Sequence, residues 1–399
     1  MMKKLLAWLL AIILGLTGAA LAEAPAEPEA EPSTGSVQAP APALERKGIA
    51  LGDGSVYYPQ VTGMADAALQ EKVNALLLEK GNVEQYLNRL PLTMQSTAPL
   101  TVDYTAYLAG DVLSCVQLAK GTVADERNTQ IYTAVNVDLR TGESIGWADL
   151  FQDETAARAA VEEYLWDHVS PELSPHLANS ELTPLPECFG LTSSGMTLYY
   201  PISQLSTLSD KAGTVTILWS EVRELLRLEE GSVLHRLGAA EMLTLDEKSR
   251  ESIEACVTKG QWPDVPVALG GSVREATDTF GLLMDPDLYA QGRLFQLEGG
   301  VFRGMYLMSD SLTSGWDNSV IQGLRADRLN LFGLCTGQTE RTKWLEALGE
   351  PDATVQVDAE QAEANRMLPG TSDYYRFGEH QLRLHADESG VLASVFITQ

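Results

Sequence analysis

Three consecutive segments between residues 101 and 139 read as β-strands, and the first and third place apolar side chains on one face with the period of two that a strand requires. The first two, TVDYTAYLA and DVLSCVQLAKG, are separated by Gly110-Asp111, a pair that favours a tight hairpin turn. The third, TQIYTAVNVDL, reads as a longer strand. The pattern therefore predicts an antiparallel sheet whose apolar face contains Val102, Tyr104, Ala106, Leu108, Ile131, Thr133, Val135, Val137 and Leu139.

Two other segments carry apolar residues at helical spacing. The first helix is MADAALQEKVNALLLEK, and the second is ETAARAAVEEYLWDHV with Asp153 as its N-cap. The strand-like segments GMTLYY and GTVTILW follow, and then a short helix at SEVRELLR. Helices on one side of antiparallel sheets define an α+β fold, and we expect such sheets, each packed by one or two helices, in two or three domains.

The N-terminal residues predict export. Lys3 and Lys4 precede an apolar run, and Ala20-Leu21-Ala22 matches a signal-peptidase site, so we expect a signal peptide at 1–22 that is cleaved after Ala22. A retained signal anchor is the alternative. Residues 23–46 are rich in Pro, Ala and Glu and are expected to be disordered. The protein is therefore predicted to be secreted or at the cell surface, with no stable transmembrane segment after cleavage.

The folded part divides by composition and pattern into four predicted regions. Their boundaries are a small α+β domain at 47–130, a second α+β domain at 131–230, a helical connector at 231–264, and a tandem helix-plus-sheet repeat at 265–399.

The formal net charge of −27 argues against nucleic acid as a partner, because phosphate binding depends on clustered Lys and Arg. The charge suits a soluble secreted protein and favours encounter with a basic protein partner. Acidity that serves solubility alone is the other interpretation.

The four cysteines, Cys115, Cys188, Cys256 and Cys335, are irregularly spaced. We expect free, buried thiols, with two disulfides as the alternative. No CxxC pair occurs and no His lies near a Cys in sequence, so no zinc site is predicted. No other metal site and no cofactor is predicted.

The order of turn motifs in the first half resembles a known domain. The motifs are VNVDLRTG from Val135, Asp149-Leu-Phe151, FGLTSSG from Phe189, and GTVTI from Gly213 before Glu221. They resemble the uncharacterised extracellular domain shared by lysozyme-sensing anti-sigma factors and some peptidoglycan deacetylases, and residues 47–125 resemble the small domain that precedes it. The resemblance implies an α+β fold and capture of a lysozyme-like or other wall-associated protein.

The second half contains an internal repeat. LGGSVREATDTFG from Leu269 reads as a Gly turn, a short helix and a Gly stop, and residues 334–352 repeat that plan. Strand-like segments follow each copy. This plan resembles the β-lactamase-inhibitor-like modules of envelope proteins, and the resemblance implies binding of other proteins.

Gly142-Glu-Ser144-Ile-Gly146 matches the G-x-S-x-G pattern of serine hydrolases. A nucleophile elbow needs a strand that runs into the first Gly and a helix that starts at the Ser. Here Arg140-Thr-Gly-Glu143 reads as a β-turn. The helix-like WADLF starts only at Trp147, beyond the serine at which the helix of an elbow would have to start. We therefore predict that Ser144 lies in a hairpin and is not a nucleophile, and we expect no catalytic residues.

Strand alternation in the last repeat predicts one apolar face with Tyr375, Phe377, Leu382, Leu384, Val391, Val395 and Ile397. The opposite face mixes aromatic rings with arginines, as binding hot spots do. It is the candidate partner-binding surface, and it consists of Tyr374, Arg376, Gln381, Arg383, His385 and Phe396. A solvated sheet face beside another domain is the alternative.

These observations favour a non-enzymatic, exported binding protein of a Gram-positive-type envelope. A structural or assembly factor of the envelope is the second hypothesis, and a serine hydrolase that uses Ser144 is the third and least supported.

Overall fold

A computed structural model describes residues 41–123, 126–165, 185–199, 214–282, 285–297, 302–310 and 318–399. The chain has the α+β fold that the sequence predicts, with helices packed on antiparallel sheets. The strands of the described residues are β1 (Ala43–Leu51), β2 (Gly54–Thr62), β3 (Thr101–Ala109), β4 (Val112–Val123), β5 (Glu126–Asp138), β6 (Glu143–Ser144), β7 (Phe189–Leu191), β8 (Gly195–Tyr199), β9 (Thr214–Leu218), β10 (Asp287–Tyr289), β11 (Gly292–Phe295), β12 (Met305–Ser309), β13 (Gly323–Ala326), β14 (Asn330–Leu331), β15 (Leu334–Cys335), β16 (Ala353–Val357), β17 (Gly370–Phe377), β18 (His380–Asp387) and β19 (Leu392–Thr398).

The α-helices of the same residues are α1 (Ala67–Lys80), α2 (Val83–Arg89), α3 (Trp147–Leu150), α4 (Glu154–Tyr164), α5 (Val233–Arg236), α6 (Ala239–Met242), α7 (Ser249–Lys259), α8 (Val273–Phe280), α9 (Arg341–Leu348) and α10 (Ala359–Ala364). In the part of the chain that the structure describes, 3₁₀ helices lie at Leu90–Thr93 and Trp219–Leu225, the latter where a short helix was expected. None of the helices in the described ranges is both long and apolar enough to cross a membrane.

The first sheet has the order β1-β2-β3-β4-β5-β6, and its neighbours are antiparallel except for the β2–β3 pair. Gly110 adopts a left-handed φ of 57° in the predicted hairpin turn between β3 and β4, which confirms that turn. Asp66 is the N-cap of helix α1, and its carboxylate accepts hydrogen bonds from two backbone N–H groups at 2.9 and 3.1 Å. Val73 and Leu77 of this helix pack against one face of the sheet, where they form a buried apolar cluster with Val135 of β5.

The predicted apolar face of this sheet is only partly confirmed. Val102 and Val137 are buried, whereas Ala106 and Ile131 are exposed, the latter at 39%. The sheet also differs from the predicted boundaries at its ends. Strand β1 begins within the segment 23–46 that was expected to be disordered, and β5 continues through the predicted boundary at 130/131. Residues 1–40, with the predicted signal peptide, lie outside the described residues.

The second face of the first sheet is covered by the three-stranded sheet β7-β8-β9. Leu191 N–H donates to Ser114 Oγ at 2.8 Å, and Asn136 Nδ2 donates to the Phe189 carbonyl at 2.8 Å. Helix α4 begins at Asp153, the predicted N-cap, which accepts from Ala156 N–H at 3.1 Å. The C-terminal part of the predicted helix, with His168 and Val169, lies outside the described residues.

The largest sheet has the order β10-β11-β12-β13-β19-β18-β17-β16, and all its neighbours are antiparallel. Two four-stranded meanders therefore meet through their last strands, β13 and β19. A helix precedes each meander, and Gly281 and Gly349 follow those helices as the repeat predicts. The helices α7, α8 and α9 cover one face of the sheet, which fixes where the core lies.

The core under these helices contains six of the seven residues that were predicted for the apolar face: Tyr375, Phe377, Leu382, Leu384, Val395 and Ile397. The seventh, Val391, is partly exposed, and the adjacent Leu392 is fully buried instead. The cause is a β-bulge between His385 and Ala386, which shifts the pairing with β19 by one residue. Strand alternation alone does not show such a shift.

Candidate functional site

The outer face of the eight-stranded sheet, opposite α7, α8 and α9, carries a row of alternating aromatic and cationic side chains. Directly opposed positions on neighbouring strands place these side chains in contact. The row, which we call the cation–aromatic ladder, consists of Tyr306, Arg325, Phe396, Arg383 and Tyr374. Arg325 Cζ lies 5.2 and 5.6 Å from the ring centroids of Tyr306 and Phe396, and Arg383 Cζ lies 4.6 and 5.6 Å from those of Phe396 and Tyr374. These distances allow cation–π attraction along the row.

Four of the five ladder residues line a cavity of about 280 Å³, which we call the trough. All eight strands of the sheet contribute at least one residue to it, because the sheet curves around this space. Helix α10 and the residues after it form the remaining wall. The trough is lined by Tyr289, Gln291, Leu294, Met308, Arg325, Val355, Val357, Gln361, Asn365, Met367, Tyr374, Arg383 and Phe396.

The charge of Arg325 is neutralised within the protein. Its Nε and Nη2 atoms donate to the two carboxylate oxygens of Asp327, each at 2.7 Å. It also donates to the carbonyls of Asn365 and Arg366, which follow α10, at 3.1 and 2.7 Å. Arg325 is 4% exposed, so its side of this bidentate pair is shielded from water, while the Asp327 side chain is 30% exposed. The role of Arg325 is to anchor the end of α10 to the sheet.

The charge of Arg383 is not neutralised by any carboxylate of the described residues. Its Nε donates to Ser372 Oγ at 2.9 Å, and its Nη2 contacts the Met367 sulfur at 3.2 Å. The side chain is half-buried. Burial lowers the pKa of the Arg383 guanidinium below its ordinary value, and the charge of Arg325 lowers it further. The trough therefore contains a positive charge that an anion could neutralise.

Residues 365–369, which we call the crossing segment, pass over the sheet face next to the trough. Beneath this segment His385 is fully buried, although it was predicted on the exposed partner-binding surface. Its Nε2 lies 2.9 Å from the Leu368 carbonyl, and its Nδ1 lies 2.9 Å from Ser372 Oγ. Because a carbonyl can only accept, the proton of the neutral ring lies on Nε2, and Ser372 donates to Nδ1. His385 thus ties the crossing segment to the sheet.

The structure brings together three of the six predicted partner-binding residues. Tyr374, Arg383 and Phe396 line the trough, and Phe396 forms its floor at 3% exposure. Arg376 and Gln381 pair opposite each other on β17 and β18 and do not line it. The sequence did not predict Tyr306 and Arg325 as site residues, because their strands β12 and β13 are only five and four residues long and give little alternation to recognise.

Ser144 lies in β6, paired with Val137 of β5 and exposed. Gly142 reverses the chain with a φ of 66°, so the turn that the sequence predicts is confirmed. The helix that follows begins at Trp147, with Gly146 as its N-cap, and no helix starts at the serine. The strand–turn–helix geometry of a nucleophile elbow is therefore not formed here.

Within the described residues, the remaining candidates for chemistry do not converge on a site. His176 lies outside the described residues, His235 is at the start of the connector, and His380 Nδ1 lies 2.8 Å from the Val257 carbonyl. The four cysteines are free thiols, and burial raises the pKa of Cys115 and Cys188 to about 12. Within the described ranges, no three His, Cys, Asp or Glu side chains cluster as metal ligands do.

We expect the stability of the protein to fall as the pH decreases from about 6.5 to about 4 because of His385. Burial lowers the pKa of His385 to about 4, from an ordinary value of 6.5, and the charges of Arg383 and Arg325 lower it further, while the Leu368 carbonyl and Asp327 act in the opposite sense. The unfolded chain therefore takes up this proton at a higher pH than the folded chain, and the free energy of unfolding decreases by up to about 3 kcal/mol across the interval.

The measurement is urea unfolding of the wild-type protein and of His385→Gln between pH 7.5 and 4. Gln keeps one donor and one acceptor but cannot titrate. Many carboxylates titrate in the same pH range. The quantity to compare is therefore the difference in the free energy of unfolding between the two proteins at each pH. Parallel curves would show that the buried ring makes no contribution to the pH dependence.

Comparison with known proteins gives no close relative. No protein-family profile matches the chain, and no curated protein matches it. Among solved structures, a DUF3298 family member from Bacteroides fragilis is 13% identical, covers 50% of this chain and 98% of its own, and has a TM-score of 0.34. A DUF3298 family protein from Pseudomonas aeruginosa is 10% identical, covers 47% of this chain and 94% of its own, and has a TM-score of 0.30.

A DUF4309 family protein from Bacillus subtilis is 11% identical, covers 38% of this chain and 97% of its own, and has a TM-score of 0.25. All three belong to families of unknown function. This is compatible with the resemblance to an uncharacterised extracellular domain, but TM-scores this low carry no argument about activity. The resemblance to lysozyme-sensing proteins and to β-lactamase-inhibitor-like modules stays a prediction.

Proposed function

We propose that this chain is a non-enzymatic, exported binding protein of the bacterial envelope and that the trough is its recognition surface for a protein partner. The observation that carries the proposal is the half-buried Arg383 in an accessible cavity, without a carboxylate partner among the described residues. A partly buried cation without a counter-ion is unfavourable in the free protein, because part of its hydration is lost and no carboxylate replaces it. Neutralisation by a partner would offset that unfavourable free energy, so the arrangement favours a binding role.

The composition and shape of the surface support the same proposal. Tyr374 and Phe396 flank Arg383, and Tyr and Arg are the side chains that most often dominate the free energy of protein association. The sheet is concave here, so a protruding group of a partner would be enclosed on several sides. The overall net charge of −27 favours encounter with a basic protein, and lysozyme is the basic, wall-directed candidate that the sequence resemblance implies.

The test uses the full chain, immobilised, with lysozyme as the soluble partner at two ionic strengths. We expect capture at about 20 mM salt and weaker capture at about 300 mM, because long-range attraction is screened over a shorter distance as salt increases. Tyr374→Ser removes one aromatic wall of the trough and should weaken capture at least about tenfold. Tyr58→Ser, which changes an equally half-buried tyrosine in β2, should leave capture unchanged.

Two results would contradict this proposal in different ways. If lysozyme does not bind even at low salt, lysozyme is not the partner. If lysozyme binds equally well to the wild-type protein and to Tyr374→Ser, the recognition surface lies elsewhere on the molecule.

A further inference from the structure

We propose that the trough binds the C-terminal residue of a partner polypeptide, with its α-carboxylate on Arg383 and an apolar last side chain beside Tyr374 and Phe396. This inference rests on the proposed function, and it specifies which chemical group of the partner enters the trough. Three properties of the site lead to it: its charge, its size with its apolar walls, and the open strand beside it.

The charge of the trough matches a single carboxylate. Arg325 donates four of its five N–H groups to Asp327 and to two backbone carbonyls, and the Asp327 carboxylate already neutralises its charge. Arg383 uses two of the five N–H groups of a guanidinium, on Ser372 and Met367, and retains the others. A guanidinium binds a carboxylate through two parallel hydrogen bonds. One uncompensated positive charge is therefore matched by one carboxylate, whereas a polyphosphate would bring several negative charges.

The size and the walls of the trough match one apolar side chain. At about 30 Å³ per water molecule, the cavity of about 280 Å³ has the volume of about nine waters, near the lower limit for a ligand pocket. Leu294, Met308 and Val357 line it together with the two rings. An apolar side chain placed there would be removed from water, at about 25 cal/mol for each Å² that is buried.

The rim of the trough includes an open sheet edge. Among the described residues β16 is the last strand of the sheet. Its first four residues are exposed, and Val355 on it is 44% exposed while also lining the trough. The outer backbone N–H and C=O groups of an edge strand can pair with an added extended peptide. A chain that ends in the trough could therefore run along β16, and this favours a polypeptide terminus over a free small acid.

The test measures binding of fluorescently labelled hexapeptides that end in phenylalanine to the full chain. The free-acid peptide should bind about ten- to a hundredfold more tightly than the same peptide with a C-terminal amide. This comparison uses the wild-type protein and depends on no variant. Equal affinity of the acid and the amide would overturn the inference.

Two variants and one further probe complete the experiment. Arg383→Gln should abolish the preference for the free acid, with folding checked by thermal unfolding, while Arg376→Gln on the neighbouring strand should keep it. N-acetylphenylalanine carries the same carboxylate and ring without a peptide chain. If it binds as tightly as the hexapeptide, the ligand is a small acid and the assignment to a chain terminus is wrong.

The outcome separates this inference from the proposed function. Lysozyme capture that depends on Tyr374, combined with equal affinity for acid and amide peptides, would overturn only the carboxylate assignment. Selective binding of the free-acid peptide without lysozyme capture would support the assignment and exclude lysozyme as the partner.

Discussion

Replacing Asp373 with alanine is expected to lower the free energy of unfolding by about 3–5 kcal/mol. Asp373 is fully buried in β17 and accepts four hydrogen bonds. Arg341 donates two of them at 2.7 and 2.8 Å, and the Trp344 indole and the Thr354 hydroxyl donate the others at 3.1 and 2.7 Å. Burial acts to raise the pKa of this carboxyl, but the hydrogen bonds from Arg341, Thr354 and Trp344 lower it below its ordinary value.

The effect is large because the carboxylate joins three elements of the last repeat. Helix α9 provides Arg341 and Trp344, and the edge strand β16 provides Thr354. Without the carboxylate, the indole N–H of the fully buried Trp344 has lost its acceptor and the Arg341 guanidinium has lost its counter-ion, whereas the hydroxyl of the exposed Thr354 can bond to water. Urea unfolding at pH 7 measures the change. Asp285→Ala, at an exposed aspartate, is the control and should shift stability by less than about 0.5 kcal/mol.

Replacing Arg328 with alanine is expected to destabilise the protein by a similar amount, about 3–5 kcal/mol, for a different reason. Arg328 and Glu221 form a two-bond ion pair, at 2.6 Å for each bond, and their side chains are only 14% and 16% exposed. Glu221 also accepts from Tyr164 Oη and from Leu218 N–H, each at 2.9 Å. The substitution would leave the Glu221 carboxylate poorly solvated and without the cation with which it is paired.

This ion pair connects the 3₁₀ helix after β9 to the chain just after β13. It therefore links the middle of the sequence to the eight-stranded sheet. A double-mutant cycle with Glu221→Gln separates the pairwise free energy from the effect of truncation, and we expect a coupling of at least about 1.5 kcal/mol. If the two single substitutions lower the free energy of unfolding by amounts that add up to the effect of the double substitution, the ion pair has no pairwise free energy.

Local signals in the sequence predicted the local structure well. The hairpin turn at Gly110-Asp111, the N-cap at Asp153 and the buried face of the last three strands all depend on residues that are close in sequence. Strand β1 could not be predicted in this way. It is a strand because Ile49 and its neighbours pair with β2, while its own side chains remain largely exposed. Its apolar pattern is therefore weak.

The candidate site was predicted in part, and the missing parts are long-range. Alternation placed Tyr374, Arg383 and Phe396 on one face, and these residues do lie together. The same rule placed His385 on that face correctly but could not show its burial. The crossing segment covers His385, and the path of that segment depends on contacts between Arg325 and the end of α10, some 40 residues apart. Local periodicity contains no information about such contacts.

The meeting of the two meanders at β13 and β19 has a consequence for which side chains the ladder can contain. The topology relates the meanders by an approximate two-fold rotation, which exchanges Arg325 with Phe396 and Tyr306 with Arg383. Two identical copies of the first meander would place guanidinium against guanidinium at the rotation axis, and like charges in direct opposition repel each other. Because one chain carries both meanders, the two halves can hold different side chains at the exchanged positions, and here a ring faces a cation at every step.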